Sequence, residues 1–251
     1  MGRLRGRTAL VTGGGRGIGR AVSRRLAAEG ARVVVHYGGA RAAAEETVAE
    51  ITSVGGDAVA IAARFGDDAP EDEAEALWTA VDKAVDGVDV LVNNAGVADV
   101  RGTIEDTTPD GLRRMLALNT VAPFFVTRAG LSRLRDGGRI VNVSTHLTRG
   151  AAQPDLIAYA MSKGAVDVFT ATLAKQLGPR GITVNAVAPG VVDTDMNAAW
   201  LDGARATVAA FSPLGRVAEP ADVSDIVAFL ASDDSRWVTG QRIDASGGAL
   251  L

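Results

Sequence analysis

Three stretches of the chain carry side chains able to do chemistry. Residues 139–149 read RIVNVSTHLTR, an apolar run ending in Ser144, Thr145 and His146, each able to make or accept a hydrogen bond. Tyr159 and Lys163 stand four apart, so on a helix they share a face. A tyrosine hydroxyl has a reference pKa of about 10 and a nearby ammonium favours its phenolate, so the pair predicts a tyrosine that exchanges a proton near neutral pH. The third stretch is Thr12-Gly13-Gly14-Gly15-Arg16-Gly17-Ile18-Gly19, where glycines permit a tight turn and let a phosphate approach backbone N–H groups at a helix N-terminus. It matches neither the usual G-x-G-x-x-G spacing nor a P-loop, since Arg20 and Ala21 stand where Lys and Ser or Thr would be. A hydrolase built on Ser144, His146 and Asp155 lacks the G-x-S-x-G elbow.

The elements around these stretches must position them. Apolar, β-branched runs at Thr8 to Val11, Arg32 to His36, Ala58 to Ala62, Val88 to Val92, Arg139 to Val143, Thr183 to Ala188 and Arg242 to Asp244 are strand candidates. Their near-continuous apolar character suits a parallel sheet buried on both faces. Helical patterns alternate with them: Ile18, Val22 and Leu26 recur every fourth residue up to Gly30, Ala42 to Val54 stops at Gly55-Gly56, and further helices run from Pro109 to Arg135 and from Ile157 to Leu177. Repeated strand and helix predict an α/β fold, a doubly wound sheet in a single domain over residues 1–251.

Composition narrows the function classes. The chain has 251 residues, 47% hydrophobic and 22% charged, with a formal net charge of −4, which lacks the basic footprint of a nucleic-acid binder. It has no cysteine and only two histidines, His36 and His146, which predicts no metal site. No apolar run reaches membrane-spanning length or forms a signal-peptide core, so the expectation is a cytoplasmic protein with no membrane partner.

Four motifs in order resemble the short-chain dehydrogenase/reductase family: Thr-Gly-x-x-x-Gly-Ile-Gly from Thr12, Asn93-Asn94-Ala95-Gly96 after the fourth strand, Tyr159-x-x-x-Lys163, and Pro189-Gly190 with Thr194 after the sixth strand. The resemblance runs from Thr8 to Asp244-Ala245-Ser246-Gly247-Gly248. It implies a Rossmann domain with a seven-stranded parallel sheet, helices on both faces and a dinucleotide at the carboxyl edge. The residues it assigns to the dinucleotide are Thr12, Gly13, Gly15, Arg16, Gly17, Ile18, Gly19, His36, Tyr37, Asn93, Ala95, Gly96, Tyr159, Lys163, Pro189, Gly190, Val192 and Thr194. It makes Tyr159 the proton donor in reduction, Lys163 the holder of the nicotinamide ribose and Asn119 the residue that carries a relay water to that lysine.

In the family a serine closes the strand after one small residue, and that place falls on Thr145, with Ser144 as the alternative. A one-residue slip would turn the side chain to the other face, which favours Thr145. His146 is expected to be a loop or pocket-lining residue. The second strand ends in His36-Tyr37-Gly38-Gly39 without an acid for a ribose 2′-hydroxyl, while Arg16, with Arg41 nearby, can face a 2′-phosphate; this favours NADP(H) over NAD(H). Arg64-Phe65 stand where the family often has an acid beside the adenine, so that contact is lost or replaced by stacking of Arg64.

Residues 195–214 would form a variable lid, carrying Met196, Trp200, Leu201 and Phe211, over a carbonyl or alcohol substrate. Apolar residues on more than one face of the helices from Pro109 and Ile157 suggest a family-like homotetramer, a dimer of dimers. The resulting expectation is an NADPH-dependent ketone or 3-oxoacyl reductase resembling the 3-oxoacyl-[acyl-carrier-protein] reductase branch. The alternatives are an NAD(P)-dependent alcohol dehydrogenase working oxidatively and a non-catalytic dinucleotide-sensing protein.

Overall fold

In the computed structural model, which describes residues 2–66, 69–150 and 153–249, seven strands form one parallel sheet in the order β3-β2-β1-β4-β5-β6-β7. The strands are β1 (Thr8–Val11), β2 (Arg32–Tyr37), β3 (Asp57–Ala62), β4 (Val88–Asn93), β5 (Leu134–Val143), β6 (Thr183–Pro189) and β7 (Arg242–Ala245). The helices are α1 (Gly17–Ala28), α2 (Arg41–Ser53), α3 (Pro70–Asp82), α4 (Pro109–Leu116), α5 (Ala122–Gly130), α6 (Ile157–Leu177), α7 (Asp195–Phe211) and α8 (Pro220–Ala231).

Alternation along each strand builds two cores. Ala9, Val11, Val33, Val35, Val90, Val92, Val141 and Val143 pack with Val22 and Leu26 of α1 and Val223 and Val227 of α8. Leu10, Val34, Leu91, Ile140 and Val184 face the other way, onto Leu77 and Trp78 of α3, Val126 of α5 and Leu173 of α6. Each fully buried Val or Leu contributes about 1.5–3 kcal/mol, so every strand is held from both sides. The α/β doubly wound architecture expected from the strand and helix alternation is the one observed.

Strand order reverses between β1 and β4, and such a switch point opens a crevice at the carboxyl ends of the strands. A buried polar ladder stiffens the sheet beside it: Asn93 Nδ2 donates to Thr127 Oγ1 (3.0 Å) and Asn142 Oδ1 (2.9 Å), and Asn142 Nδ2 donates to Thr170 Oγ1 (2.9 Å). The ladder ties α5, β4, β5 and α6 together.

Two elements differ from the sequence reading. The segment predicted as one helix from Pro109 to Arg135 is α4, a π-helical turn over Ala117–Val121, and α5, which ends at Gly130. Pro123 cannot donate to the carbonyl four residues back, at Asn119, and its ring crowds that carbonyl, so the wider turn falls here. The strand expected from Arg139 starts at Leu134, where Leu134 pairs with Val88 before a register shift; the polar Leu134-Arg-Asp-Gly-Gly138 lead-in has no strand-like pattern. The expected lid is mostly α7, with Leu201 fully buried and Met196, Phe211 and Leu214 exposed. On α5 and α6, Phe124, Met161 and Val168 stand exposed. Among the described residues no helix is long and apolar enough to cross a membrane.

Candidate active site

The glycine-rich turn leaves β1 and enters α1. Gly17 has φ +50°, in the left-handed region where glycine is favoured, and a Cβ on Gly19 would run into the Gly13 carbonyl oxygen. Thr12 Oγ1 accepts from the backbone N–H groups of Asn94 (2.9 Å) and Ala95 (3.0 Å), which joins the turn to the end of β4 across the switch point. The first turn of α1 has neither a side-chain cap nor an acidic residue, so its N–H groups and the positive end of the helix dipole face outward. A bare helix N-terminus behind a glycine turn fits a dinucleotide pyrophosphate. Thr194, after β6, closes over the same turn: a Cβ on Gly17 would lie 3.2 Å from the Thr194 methyl, and Val192 is buried nearby.

His36 is not placed as a ribose contact. Its ring is 2% exposed, with Gly13 N–H donating to Nδ1 (3.1 Å), so Nε2 carries the proton and donates to the Ala63 carbonyl (2.9 Å). The imidazole thus props the glycine turn against β3 and stacks on Phe65, with ring centroids 4.7 Å apart. That stacking uses Phe65; Arg64 is exposed. Asn93 also departs from its expected place, because its side chain points into the buried ladder. Its neighbour Asn94, which the sequence reading did not single out, donates from Nδ2 to the carbonyls of Thr12 (2.9 Å) and Gly13 (3.1 Å). Which of two adjacent asparagines faces the turn depends on where β4 ends.

Burial lowers the His36 pKa to about 4, against a slight opposing effect from its bond to Ala63. Between its unfolded value of about 6.5 and the folded value, the unfolded chain binds a proton that the folded chain refuses. Stability therefore falls as pH drops through this window, by roughly 3 kcal/mol in total. Acid unfolding followed by circular dichroism checks this. His36→Gln is expected to flatten the slope between pH 6.5 and 4, and an unchanged slope would refute it.

The second half of the site lies on the β5 exit and α6. Thr145 is extended (φ −154°, ψ 152°) and opens a short 3-10 turn, His146–Thr148. Its hydroxyl accepts from the Leu147 N–H (3.4 Å) and lies near enough to Tyr159 to lower the pKa of that phenol. Ser144 shares its parity with Asn142, which faces α6, and its Oγ is buried without a hydrogen-bond partner among the described residues. Lys163 Nζ donates to the Val143 carbonyl (2.7 Å). Asn119, on the π-helical turn, exchanges hydrogen bonds with Val97, accepting from its N–H and donating to its carbonyl at 2.8 Å each, and also donates to Ser162 Oγ (3.1 Å). A Cβ on Gly96 would lie 2.8 Å from Asn119 Oδ1 and 3.4 Å from Lys163 Nζ, so both side chains converge on that glycine. Thr145, Tyr159, Lys163, Asn119, Ala95 and Gly96 are thereby brought to one end of the sheet.

Electrostatics differ from the expectation for Tyr159. Burial pushes its hydroxyl up to about 12, offset in part by the nearby Thr145 hydroxyl. Lys163 is itself lowered by burial to about 8, against the pull of Asp167, and its proton is directed at Val143. Tyr159 is a neutral acid at physiological pH, because desolvation disfavours the charged phenolate. His146 is buried, with its pKa lowered by desolvation. Among the described residues no group of His, Asp or Glu is placed to hold a metal ion.

Comparison with known proteins agrees with this geometry. A family model described as enoyl-(acyl carrier protein) reductase matches residues 13–249. Versicolorin reductase stcU of Emericella nidulans is 42% identical, over 99% of this chain and 97% of the relative. The crystal structure of the angucycline C-6 ketoreductase LanV with bound NADP superposes with a TM-score of 0.94 at 45% identity, covering 100% of this chain and 98% of that one. A short-chain dehydrogenase/reductase from Serratia marcescens superposes with a TM-score of 0.92 at 36% identity, covering 99% of this chain and 100% of that one. With the glycine turn, the switch-point crevice and the Tyr159 and Lys163 pair on one sheet edge, the chain belongs to the short-chain dehydrogenase/reductase family of NAD(P)-dependent oxidoreductases.

Proposed function

We propose that the chain is an NADPH-dependent ketone reductase in which Tyr159 delivers the proton. The observation that carries this reading is the convergence of Lys163 and Asn119 on Gly96, with Tyr159 one helical turn before Lys163 and its buried hydroxyl protonated beside Thr145. When bound, the cofactor supplies hydride to the carbonyl carbon. Thr145 holds the carbonyl oxygen by a hydrogen bond that strengthens as negative charge develops there. Tyr159 then gives its proton to that oxygen, which as an alkoxide is far more basic than a phenol of pKa about 12. Lys163 holds the nicotinamide ribose and restores the proton of Tyr159, and Asn119 positions the water that reaches Lys163.

A protonated tyrosine favours reduction over the oxidative alternative, which needs the scarce tyrosinate. The substrate class we propose is a ring ketone of the versicolorin or angucycline kind, following the names of two relatives. The exposed Met196, Phe211 and Leu214, with Trp200 under the Arg101 guanidinium (5.3 Å), offer an apolar cover for such rings. Following NADPH absorbance with an angucycline ketone and with a 3-oxoacyl thioester decides the class. Faster turnover of the thioester would return the assignment to the acyl-carrier-protein branch, and turnover of neither would remove the class. The exposed Phe124, Met161 and Val168 support a homotetramer, which sedimentation would refute by showing a 25.7 kDa species.

NADP(H) preference rests on Arg16. It is exposed at the N-cap of α1, its side chain has no ion pair among the described residues, and β2 ends without an acid. Arg41 stands at the start of α2, where Glu45 engages it (2.7 Å). Arg16→Ala is expected to raise the Kd for NADPH by about 10- to 100-fold, the weight of a charge-assisted hydrogen bond, and to leave NADH binding nearly unchanged. Titration of the two cofactors by tryptophan quenching checks this, and equal losses would overturn it.

A further inference from the structure

Arg242, at the start of the edge strand β7, belongs to none of the motifs, yet its guanidinium reaches three parts of the site. Ile243 and Ala245 pack into the α1 and α8 core, so by alternation Arg242 and Asp244 take the opposite face. There Arg242 Nη2 donates to the Thr145 carbonyl (2.9 Å) and the His146 carbonyl (3.3 Å), and Nε donates to Thr148 Oγ1 (2.9 Å). Its charge is paired with Asp167 of α6 (3.3 Å), one turn beyond Lys163. Asp244 lies at 3.6 Å.

The guanidinium therefore grips the backbone of the 3-10 turn that presents Thr145, and anchors that grip to the helix that presents Tyr159. Stability is a poor reason for such a group. Its side chain is only 8% exposed and Nη1 has no hydrogen-bond partner among the described residues, an arrangement whose desolvation cost offsets much of its attraction. A planar fork is, however, the side chain best suited to holding two carbonyls and a hydroxyl at once.

We propose that Arg242 and Asp167 form a positioning pair that sets the Thr145 hydroxyl against Tyr159. This rests on the reading of Thr145 as the donor to the carbonyl oxygen. Misplacement of a reacting group by about 1 Å costs about 10²-fold in rate, so Arg242→Met is expected to lower kcat on that scale while the Kd for NADPH holds.

A double-mutant cycle with Thr145→Ala, on the angucycline ketone or thioester that the wild type reduces, is the kinetic test. If Arg242 acts through Thr145, adding Arg242→Met to Thr145→Ala costs less than about twofold more, whereas multiplying losses overturn the proposal. A second readout needs no turnover. The chain has two tyrosines, so in a Tyr37→Phe background a 13Cζ tyrosine label gives one resonance, that of Tyr159. Arg242→Met is expected to move that resonance in the same direction as Thr145→Ala does, and an unmoved line overturns the proposal.

Full turnover by Thr145→Ala would remove the reading of Thr145, while the resonance would still decide whether Arg242 sets the hydroxyl pair. Should Arg242→Met fail to fold, Arg242→Lys and Asp167→Asn carry the same measurements. Both keep the volume and lose part of the fork or its anchor, so a line shift in either supports the pair and its absence in both refutes it.

Discussion

Tyr159→Phe will lower reduction by at least about 10²- to 10⁴-fold, the usual contribution of a positioned general acid, while leaving NADPH affinity within a few-fold of wild type. The ring stays and its packing stays; only the transferable proton goes. The hydroxyl is fully protonated at neutral pH because burial holds it near 12, so the reductive rate owes no pH dependence to Tyr159 between pH 6 and 9. The oxidative direction requires the tyrosinate, whose population rises about tenfold per pH unit toward that value, so alcohol oxidation is expected to climb steadily with pH. Lys163→Ala will harm both cofactor binding and turnover, since that ammonium has two tasks. Its charge is present below about pH 8 and fades above it, so any fall in reductive kcat/KM belongs to that limb. Stopped-flow reduction with the two variants, alongside NADPH titration, reads out each outcome. Near-normal turnover by Tyr159→Phe would remove the mechanism.

Thr145→Ala comes next in expected size, at about 10²- to 10³-fold in kcat, the loss typical for one donor to a developing oxyanion. Thr145→Ser keeps the hydroxyl and deletes only a methyl that stiffens χ1, so it retains most activity. Ser144→Ala is expected to be mild in both rate and stability. Its hydroxyl lies buried without a hydrogen-bond partner among the described residues, and removing an unsatisfied group costs little. Turnover of the three variants on one ketone distinguishes the residues: an inactive Ser144→Ala beside an active Thr145→Ala would mean that the strand register argued for the hydroxyl is wrong by one.

The architecture was legible because its signals are local. Near-continuous Val and Leu runs can be buried only between two helical layers, and Ile18, Val22 and Leu26 recur at the spacing of one helix face whatever the rest of the chain does. The glycine turn and the Tyr159 and Lys163 spacing were legible for the same reason, since backbone sterics and helical period act over a few residues.

What the chain alone left open depends on parity and on distant neighbours. A strand end displaced by one residue exchanges Asn93 for Asn94 and Ser144 for Thr145, and pairing with adjacent strands decides the end. His36 sits at a position that can face a ribose, but the fold brings Gly13 N–H and the Ala63 carbonyl to its two nitrogens and turns it inward. Spacing alone predicts an acidified Tyr159 hydroxyl beside an ammonium. Burial, a property of the whole packed edge, makes it a weak acid instead. Arg242 lies nearly one hundred residues from Thr145 along the chain, and only the placement of β7 beside β6 puts its guanidinium under that carbonyl. Period and sterics thus determine the elements and their order, whereas facing direction, desolvation and long-range hydrogen bonds exist only once the sheet has closed its neighbours around them.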